Sequence, residues 1–122
     1  MTSPALAESA LIAAVKRRLT RPIVLVGLMG AGKSTVGRRL AGLLGTGFAD
    51  SDAAIEDAAR RSVGEIFNDF GEPYFREGER RVIARLIGEG HGVIATGGGA
   101  FADAETRALL LDKSLAVWLD CD

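Results

Sequence analysis

The sequence predicts an α/β fold in which a mostly parallel sheet lies between two layers of helices. Short apolar segments alternate with helical ones, in the order strand, helix, strand, helices, strand, helix, strand. The apolar segments are continuous rather than alternating, which is typical of strands covered on both faces. The first of them runs directly into a glycine-rich loop and then a helix. These three features predict a three-layer α/β/α architecture with right-handed crossovers between the strands.

Each predicted element has its own signal. A helix over 33–45 is predicted from apolar residues at helical spacing and from its last residue, Gly45. Ser62 and Glu65 match the capping-box pattern, which predicts a helix that begins at Ser62. The expected inward face of the first helix consists of Val36, Leu40, Leu43 and Leu44. The predicted strands are 22–27, 47–52, 92–96 and 115–120, and the other predicted helices are 53–61, 71–90 and 103–112.

Composition and charge exclude several classes of protein. The 122 residues suit one domain, and 48% hydrophobic with 25% charged residues is a globular profile. A formal net charge of -1 argues against nucleic acid as a partner, because that requires a cationic surface. No apolar run approaches the ~20 residues of a membrane span, so no membrane partner is expected. The single cysteine, Cys121, favours a reducing compartment and hence a cytoplasmic location.

Residues 1–20 precede the predicted domain. Leu11, Val15 and Leu19 recur every four residues, as on one face of an amphipathic helix. The basic residues follow the apolar ones, the reverse of a secretory signal, although a transit peptide is an alternative. We therefore divide the chain into an N-terminal helical extension, 1–20, and a domain over 21–122, in which Trp118 is expected in the core.

The loop after the first strand predicts a phosphate site. Residues 27–34 read GLMGAGKS and fit the pattern G-x-x-x-x-G-K-[ST] in full. Glycines let the backbone N–H groups turn inward around an anion, and the following helix directs its N-terminal dipole at the same point. Lys33 adds a positive charge for the outer phosphates, and the Ser34 hydroxyl is a suitable Mg²⁺ ligand. The alternative is a glycine-rich turn that binds nothing.

Two aspartates lie at the C-terminal end of the second predicted strand, the end where α/β sheets bind their ligands. Asp50 and Asp52 are two residues apart, so in an extended segment both side chains point the same way. One carboxylate would serve Mg²⁺ and the other would accept hydrogen bonds from hydroxyl groups. The alternative is that Asp52 only caps the helix over 53–61.

Two further patterns point to a small anionic substrate. Arg76 could direct its planar guanidinium at a carboxylate, with Glu79 three residues later to orient it. An exposed Arg–Glu pair on a helix surface is the alternative. Gly97, Gly98 and Gly99 directly follow a buried strand, where glycine is unfavourable unless backbone must approach a ligand closely. A flexible loop is the alternative there.

These motifs resemble the shikimate kinase family. The resemblance covers residues 20 to 122 and rests on GLMGAGKST, FADSD, GEPYFREGE and TGGGA, in the order of the family. It implies a P-loop fold of the nucleoside monophosphate kinase type. It also implies transfer of the ATP γ-phosphoryl group to the 3-hydroxyl of shikimate, with ATP and Mg²⁺ as cofactors and a monomeric full-length protein.

The resemblance also implies roles for individual residues. Asp52 would bind shikimate hydroxyls and act as general base, and Arg76 would pair with the shikimate carboxylate. The triple glycine would offer backbone N–H groups to the substrate. Ser34 would bind Mg²⁺ directly and Asp50 through water. The residues expected to hold the ATP phosphates are Gly30, Ala31, Gly32, Lys33, Ser34 and Thr35, with Lys33 also catalytic.

Members of the family continue beyond the fourth strand with a fifth strand, an adenine-contacting loop, a lid that carries an arginine and a second substrate-binding arginine. This sequence ends at Asp122, so the resemblance implies a chain that is incomplete at its C-terminus. We expect such a chain to have an exposed sheet edge and to be weakly active or inactive.

Three other interpretations remain open. A related small-metabolite kinase, such as gluconate kinase, shares the loop and takes a polyhydroxy acid. A noncatalytic nucleotide-binding module would bind nucleotide without transferring phosphate. A fragment that does not fold alone would show no cooperative thermal transition.

Overall fold

A single parallel sheet organises the part of the chain that the structure describes. The computed structural model describes residues 21–27 and 33–119, so the predicted extension over 1–20 lies outside the described residues. The strands are β1 Ile23–Gly27, β2 Phe48–Asp50, β3 Val93–Ala95 and β4 Leu115–Leu119. The helices are α1 Lys33–Leu44, α2 Ser51–Ala59, α3 Val63–Phe70, α4 Glu72–Gly88 and α5 Ala104–Lys113. A 3₁₀ turn over Ala100–Ala102 precedes α5 and was not predicted.

The sheet has the order β2-β3-β1-β4, and all of its pairs are parallel. Ile23 of β1 pairs with Val93 on one side and with Leu115 on the other. Consecutive strands along the chain therefore need helical crossovers, as the alternating pattern predicted. Parallel pairing also places the carboxyl ends of β1, β2 and β3 at the same end of the sheet. The predicted site residues lie at this carboxyl end.

Side chains of β1 alternate between two apolar layers. Val24 and Val26 join Ile83 and Leu86 of α4 on one face of the sheet. On the opposite face, Ile23 and Leu25 pack with Ala41 and Leu44 of α1 and with Val93. Helices thus cover both faces of the central strand, which explains why its sequence is continuously apolar. None of the helices in the described ranges is long and apolar enough to cross a membrane.

The predicted inward face of α1 was partly wrong. Gly37, Ala41 and Leu44 are the buried residues of this helix, whereas Val36 and Leu43 are 43% and 47% exposed. The reason is close approach to the sheet: a Cβ at Gly37 would overlap the ring of Phe48. The helix therefore presents its small residues to the sheet and turns part of its apolar surface outward.

The expectation that Trp118 lies in the core was also wrong. Within the described ranges, its strand, β4, is at an edge of the sheet and pairs with β1 alone. The Trp118 residue is 54% exposed, and its indole contacts the Phe101 ring edge-on at a centroid distance of 6.3 Å. A position in the middle of a strand does not bury a side chain when no element covers that part of the sheet.

Helix α3 and the start of α4 form a small lobe beside the carboxyl ends of the strands. The predicted capping box at the start of α3 is confirmed: the Glu65 amide donates to Ser62 Oγ and the Ser62 amide donates to Glu65 Oε1, each at 3.1 Å. Gly71 joins the two helices with φ 86°, a conformation that favours glycine. This turn brings the Phe67 and Phe75 rings to a centroid distance of 4.5 Å.

Replacing Ser62 by Ala removes the acceptor for the Glu65 amide. We expect the free energy of unfolding to fall by about 1 kcal/mol, the usual contribution of an N-cap side chain. Urea unfolding at pH 7 measures the change. Ser62→Asn is the matched control, because asparagine caps about as well as serine. Equal losses in the two variants would show that the cap does not hold this helix.

Candidate active site

An open cavity of about 640 Å³ lies between the small lobe and the carboxyl ends of β2 and β3. Charged side chains of two helices line two sides of the cavity, and the glycine backbone of 97–99 lines a third. Its lining residues are Asp52, Glu56, Val63, Phe67, Phe75, Arg76, Glu79, Gly97, Gly98 and Gly99. Every substrate-binding residue predicted from the sequence is therefore in this lining. Val63, Phe67 and Glu56 were not predicted as site residues, and only the capping box that begins α3 pointed to that region.

Of the predicted phosphate loop, the structure describes only the two ends. Gly30, Ala31 and Gly32 lie outside the described residues, so their assignment to the phosphates stays a prediction. Lys33 begins α1, and its Nζ donates to the carbonyl oxygen of Gly27 at 2.7 Å. The lysine side chain thus reaches back to the end of β1. Thr35 is exposed in the first turn of the same helix.

The Ser34 and Asp50 side chains form a hydrogen bond at the carboxyl end of the sheet. The Ser34 hydroxyl donates to Asp50 Oδ2 at 2.6 Å. A hydroxyl and a carboxylate oxygen are hard donors of the kind that Mg²⁺ prefers, and this ion usually takes one or two protein ligands beside water and phosphate oxygens. The pair therefore fits the predicted Mg²⁺ role. No group of three or more metal-ligating side chains occurs within the described ranges, 21–27 and 33–119.

The cap of α2 differs from the prediction. Strand β2 ends at Asp50, which is itself the N-cap and whose Oδ1 accepts from the amides of Asp52 and Ala53 at 2.9 and 3.2 Å. The idea that Asp52 caps this helix was wrong, and so was the extended geometry assumed for the two aspartates. Asp52 lies in the first helical turn, which leaves its carboxylate available to the cavity.

The Asp52 carboxyl is held in an unfavourable environment for a charge. Burial raises its pKa first, and the nearby carboxylates of Asp50 and Glu56 raise it further, while Lys33 and Arg76 act in the opposite direction. Its Oδ1 is buried and has no hydrogen-bond partner among the described residues. A proton acceptor with a raised pKa and an unsatisfied oxygen is typical of a general base in a cleft.

Arg76 projects from α4 between two carboxylates and two rings. Its Nη1 donates to Glu79 Oε1 at 2.8 Å, and its Nε lies 3.5 Å from Glu72 Oε1. The guanidinium carbon is 5.2 Å from the centroid of Phe75 and 5.9 Å from that of Phe67. The predicted orienting contact with Glu79 is confirmed, and the alternative of an exposed surface pair was wrong because Glu79 is fully buried.

Burial raises the pKa of Glu79, and the Arg76 guanidinium opposes that rise. Its second oxygen, Oε2, is buried with no hydrogen-bond partner in the described part of the chain. Removing one partner of a buried ion pair is costly, because the other partner keeps a charge that nothing compensates. Glu79 therefore fixes the Nη1 side of the Arg76 guanidinium, while Nε makes only the longer contact to Glu72.

The triple glycine is in close contact with both charged groups. A Cβ at Gly97 would come within 2.8 Å of Asp52 Oδ1, and a Cβ at Gly99 would overlap the guanidinium of Arg76. A side chain at either position would therefore have to displace the end of the Asp52 or the Arg76 side chain. The backbone of Gly97–Gly99 and the two side chains together surround one side of the cavity.

Comparison with known proteins assigns the family. The family model for shikimate kinase matches residues 29–122. This chain belongs to the shikimate kinase family. The shikimate kinase of Novosphingobium aromaticivorans is 57% identical over 122 residues, which cover 97% of this chain and 63% of that protein. The shikimate kinase of Caulobacter vibrioides is 63% identical over 102 residues, covering 84% of this chain and 51% of that protein.

Solved structures agree with this assignment and with the predicted fold class. A shikimate kinase from Acinetobacter baumannii in complex with shikimate superposes with a TM-score of 0.81 at 42% identity, covering 91% of this chain and 61% of that one. Shikimate kinase from Aquifex aeolicus gives 0.76 at 36% identity, covering 83% and 60%. The fold is therefore the P-loop fold of this kinase family. The chain spans about half to two thirds of the length of the relatives it matches.

Replacing Gly99 by Ala should displace the Arg76 guanidinium, because the new methyl group and the guanidinium cannot occupy the same space. We expect affinity for a small carboxylic acid ligand such as shikimate to fall by about tenfold or more, since bidentate carboxylate recognition depends on the position of both nitrogens. Isothermal titration calorimetry measures it. Gly78→Ala is the control, since nothing lies within 4 Å of a Cβ at Gly78. Unchanged affinity in Gly99→Ala would contradict the role of this contact.

Replacing Asp52 by Asn should stabilise the fold at neutral pH. The raised pKa means that the ionised carboxylate is unfavourable in the folded state, so removing its charge is a gain above that pKa. The gain should fade as the pH falls through the raised pKa and should be lost below the ordinary value of 3.8, where the wild-type carboxyl is neutral in both states. Thermal melts at pH 7 and pH 4 test this, with Asp57→Asn on the exposed side of α2 as control. A lower melting temperature for Asp52→Asn at pH 7 would contradict it.

Proposed function

We propose that this chain forms the nucleotide-binding and substrate-binding part of a kinase that transfers the γ-phosphoryl group of ATP to the 3-hydroxyl of shikimate. The observation that carries the proposal is the cavity that Asp52 and Arg76 share with the triple glycine. A proton acceptor and a fixed guanidinium suit a ligand that has a hydroxyl group at one end and a carboxylate at the other.

Asp52 is the proposed base. The substrate hydroxyl oxygen forms the new bond to the γ-phosphorus, the bond from that phosphorus to the bridging oxygen of ATP breaks, and ADP leaves. The hydroxyl proton passes to the Asp52 carboxylate. A raised pKa brings this carboxyl closer to the operating pH, which favours proton acceptance during the reaction.

Arg76 and the glycine backbone are proposed to hold the substrate for that attack. Arg76 would donate to the substrate carboxylate, with Glu79 keeping the guanidinium in place. Gly97–Gly99 let the substrate approach the backbone closely, because no side chain stands between them. The protein forms no covalent bond to the substrate in this type of phosphoryl transfer. Positioning of the substrate therefore accounts for much of the proposed catalysis.

The phosphates are proposed to lie at the start of α1. Lys33, the N-terminal dipole of that helix and the loop before it would stabilise their negative charge. Ser34 and Asp50 would hold Mg²⁺, Asp50 through water, and the ion would neutralise charge on the phosphates when bound. Gly30, Ala31, Gly32 and Thr35 complete the proposed phosphate-binding set.

The 122-residue chain alone is proposed to turn over slowly or not at all. Its relatives are longer, and an arginine supplied to the transferring phosphoryl group is worth ~10³-fold or more in rate. Any such group contributed from outside this sequence would be missing from an assay of the chain by itself.

ADP release with Mg-ATP tests the proposal, with shikimate added in one arm and gluconate in another. We expect a small rate that depends on shikimate and disappears in Asp52→Asn. A rate that depends on gluconate instead would overturn the substrate. If no arm releases ADP, calorimetry separates the cases: affinity for shikimate and Mg-ADP supports the site, whereas nucleotide affinity alone supports a noncatalytic nucleotide-binding module.

A further inference from the structure

We propose that Arg80 is a positioning residue that sets the gap between the Arg76 guanidinium and the triple glycine. The inference rests on the proposed function for its effect on substrate, while its structural effect can be tested separately. Arg80 lies one turn after Arg76 on α4, so the two side chains share a face of that helix. Arg76 reaches toward Gly99, and Arg80 reaches toward the start of α5.

The contacts of Arg80 join α4 to α5. Its Nη2 lies 3.0 Å from Glu105 Oε2, and its Nη1 lies 3.6 Å from Asp103 Oδ2. The Arg80 and Asp103 side chains are only 28% and 26% exposed, so this end of the contact is more protected than an ordinary surface pair. Glu105 is 75% exposed and forms the outer part of the contact.

Asp103 transmits this contact to the helix that follows. It is the N-cap of α5, and its Oδ2 accepts from the amide and the hydroxyl of Thr106 at 3.0 and 2.9 Å. Thr106 is fully buried, so the cap is fixed to the core. A contact from Arg80 to Asp103 therefore acts on the start of α5 as a whole and not on a mobile carboxylate.

The segment between β3 and α5 is held at both ends. At its beginning, Thr96 donates to the carbonyl of Leu25 from its amide at 3.1 Å and from its hydroxyl at 2.8 Å. At its end, Asp103 is held by Arg80, and Arg107 donates to the carbonyl of Phe101 at 3.2 Å. The triple glycine lies between these two anchors, and glycine restricts its own backbone least of all residues.

The Arg76 guanidinium fills the gap between α4 and this segment, because a methyl group at Gly99 would overlap the end of that side chain. A shift of α5 away from α4 would open the gap, and a shift toward α4 would close it on the guanidinium. Arg80 is the side chain on α4 that bonds directly to the start of α5, one turn from Arg76. It therefore controls the distance between two substrate-facing groups without touching the cavity itself.

Arg80→Gln in the full 122-residue chain is the test, with Arg81→Gln as the matched control on the neighbouring, 74% exposed side chain. We expect shikimate affinity to fall about tenfold in Arg80→Gln, because the change acts on the ligand only through the position of Arg76. Affinity for Mg-ADP should stay unchanged, which a general loss of structure would not allow. Arg80→Lys should recover part of the loss, because it keeps the charge.

Amide hydrogen exchange supplies a readout that needs no substrate. We expect exchange at 98–102 to be about tenfold faster in Arg80→Gln than in wild type or Arg81→Gln, with β1 and β3 unchanged. Faster exchange without any shikimate binding by wild type would support the structural role of Arg80 and overturn the proposed substrate. Equal exchange and equal shikimate affinity in Arg80→Gln and Arg81→Gln would overturn the inference.

Discussion

The site depends on the parallel alignment of β1 and β3, which a single carbonyl group fixes at their carboxyl ends. The Leu25 carbonyl accepts from both the amide and the hydroxyl of Thr96. This pairing puts the exit of β1, which leads into the phosphate loop, beside the exit of β3, which leads into the triple glycine. The proposed nucleotide half and the proposed substrate half of the site therefore start from adjacent strands of one sheet, so little conformational entropy is lost in bringing them together.

The carboxyl end of the sheet also holds buried carboxyl groups that reduce the stability of the folded state. Asp52 and Glu79 both have raised pKa values, first of all because burial disfavours their charged forms. Each also leaves one buried oxygen without a partner among the described residues. Unsatisfied polar groups at a cavity are retained when a ligand completes their interactions, and they reduce stability until it does. By contrast, the backbone amide and the hydroxyl of Ser62, which caps α3, are both paired with Glu65.

Much of the architecture could be predicted from the sequence because its signals are local. The order of elements, the parallel sheet and the capping box at Ser62 follow from continuous apolar runs and from side-chain pairs close in the chain. The inward face of α1 and the exposure of Trp118 could not be predicted this way, since both depend on which element lies opposite. The cap of α2 failed for a similar reason: a shift of the strand end by two residues gave Asp50 the capping role and left Asp52 to face the cavity. The site residues were found through motifs, whereas Phe67 and Arg80 have contacts that only the packing of α3, α4 and α5 creates.

Charge balance around Arg76 explains how one guanidinium can serve both the protein and a ligand. Arg76 Nη1 lies 2.8 Å from Oε1 of the fully buried Glu79. Its Nε lies 3.5 Å from Oε1 of Glu72, whose side chain is 65% exposed. Of the guanidinium atoms, Nη2 would lie nearest to a Cβ at Gly99, on the side of the triple glycine. A ligand carboxylate can therefore approach Nη2 and displace only the weak contact to Glu72. Because Glu79 is buried and its own pKa is raised, the guanidinium is the group that makes the added negative charge tolerable. A neutral residue at position 76 would leave the buried Glu79 carboxylate without its cation, and it would also remove the group proposed to bind the substrate carboxylate.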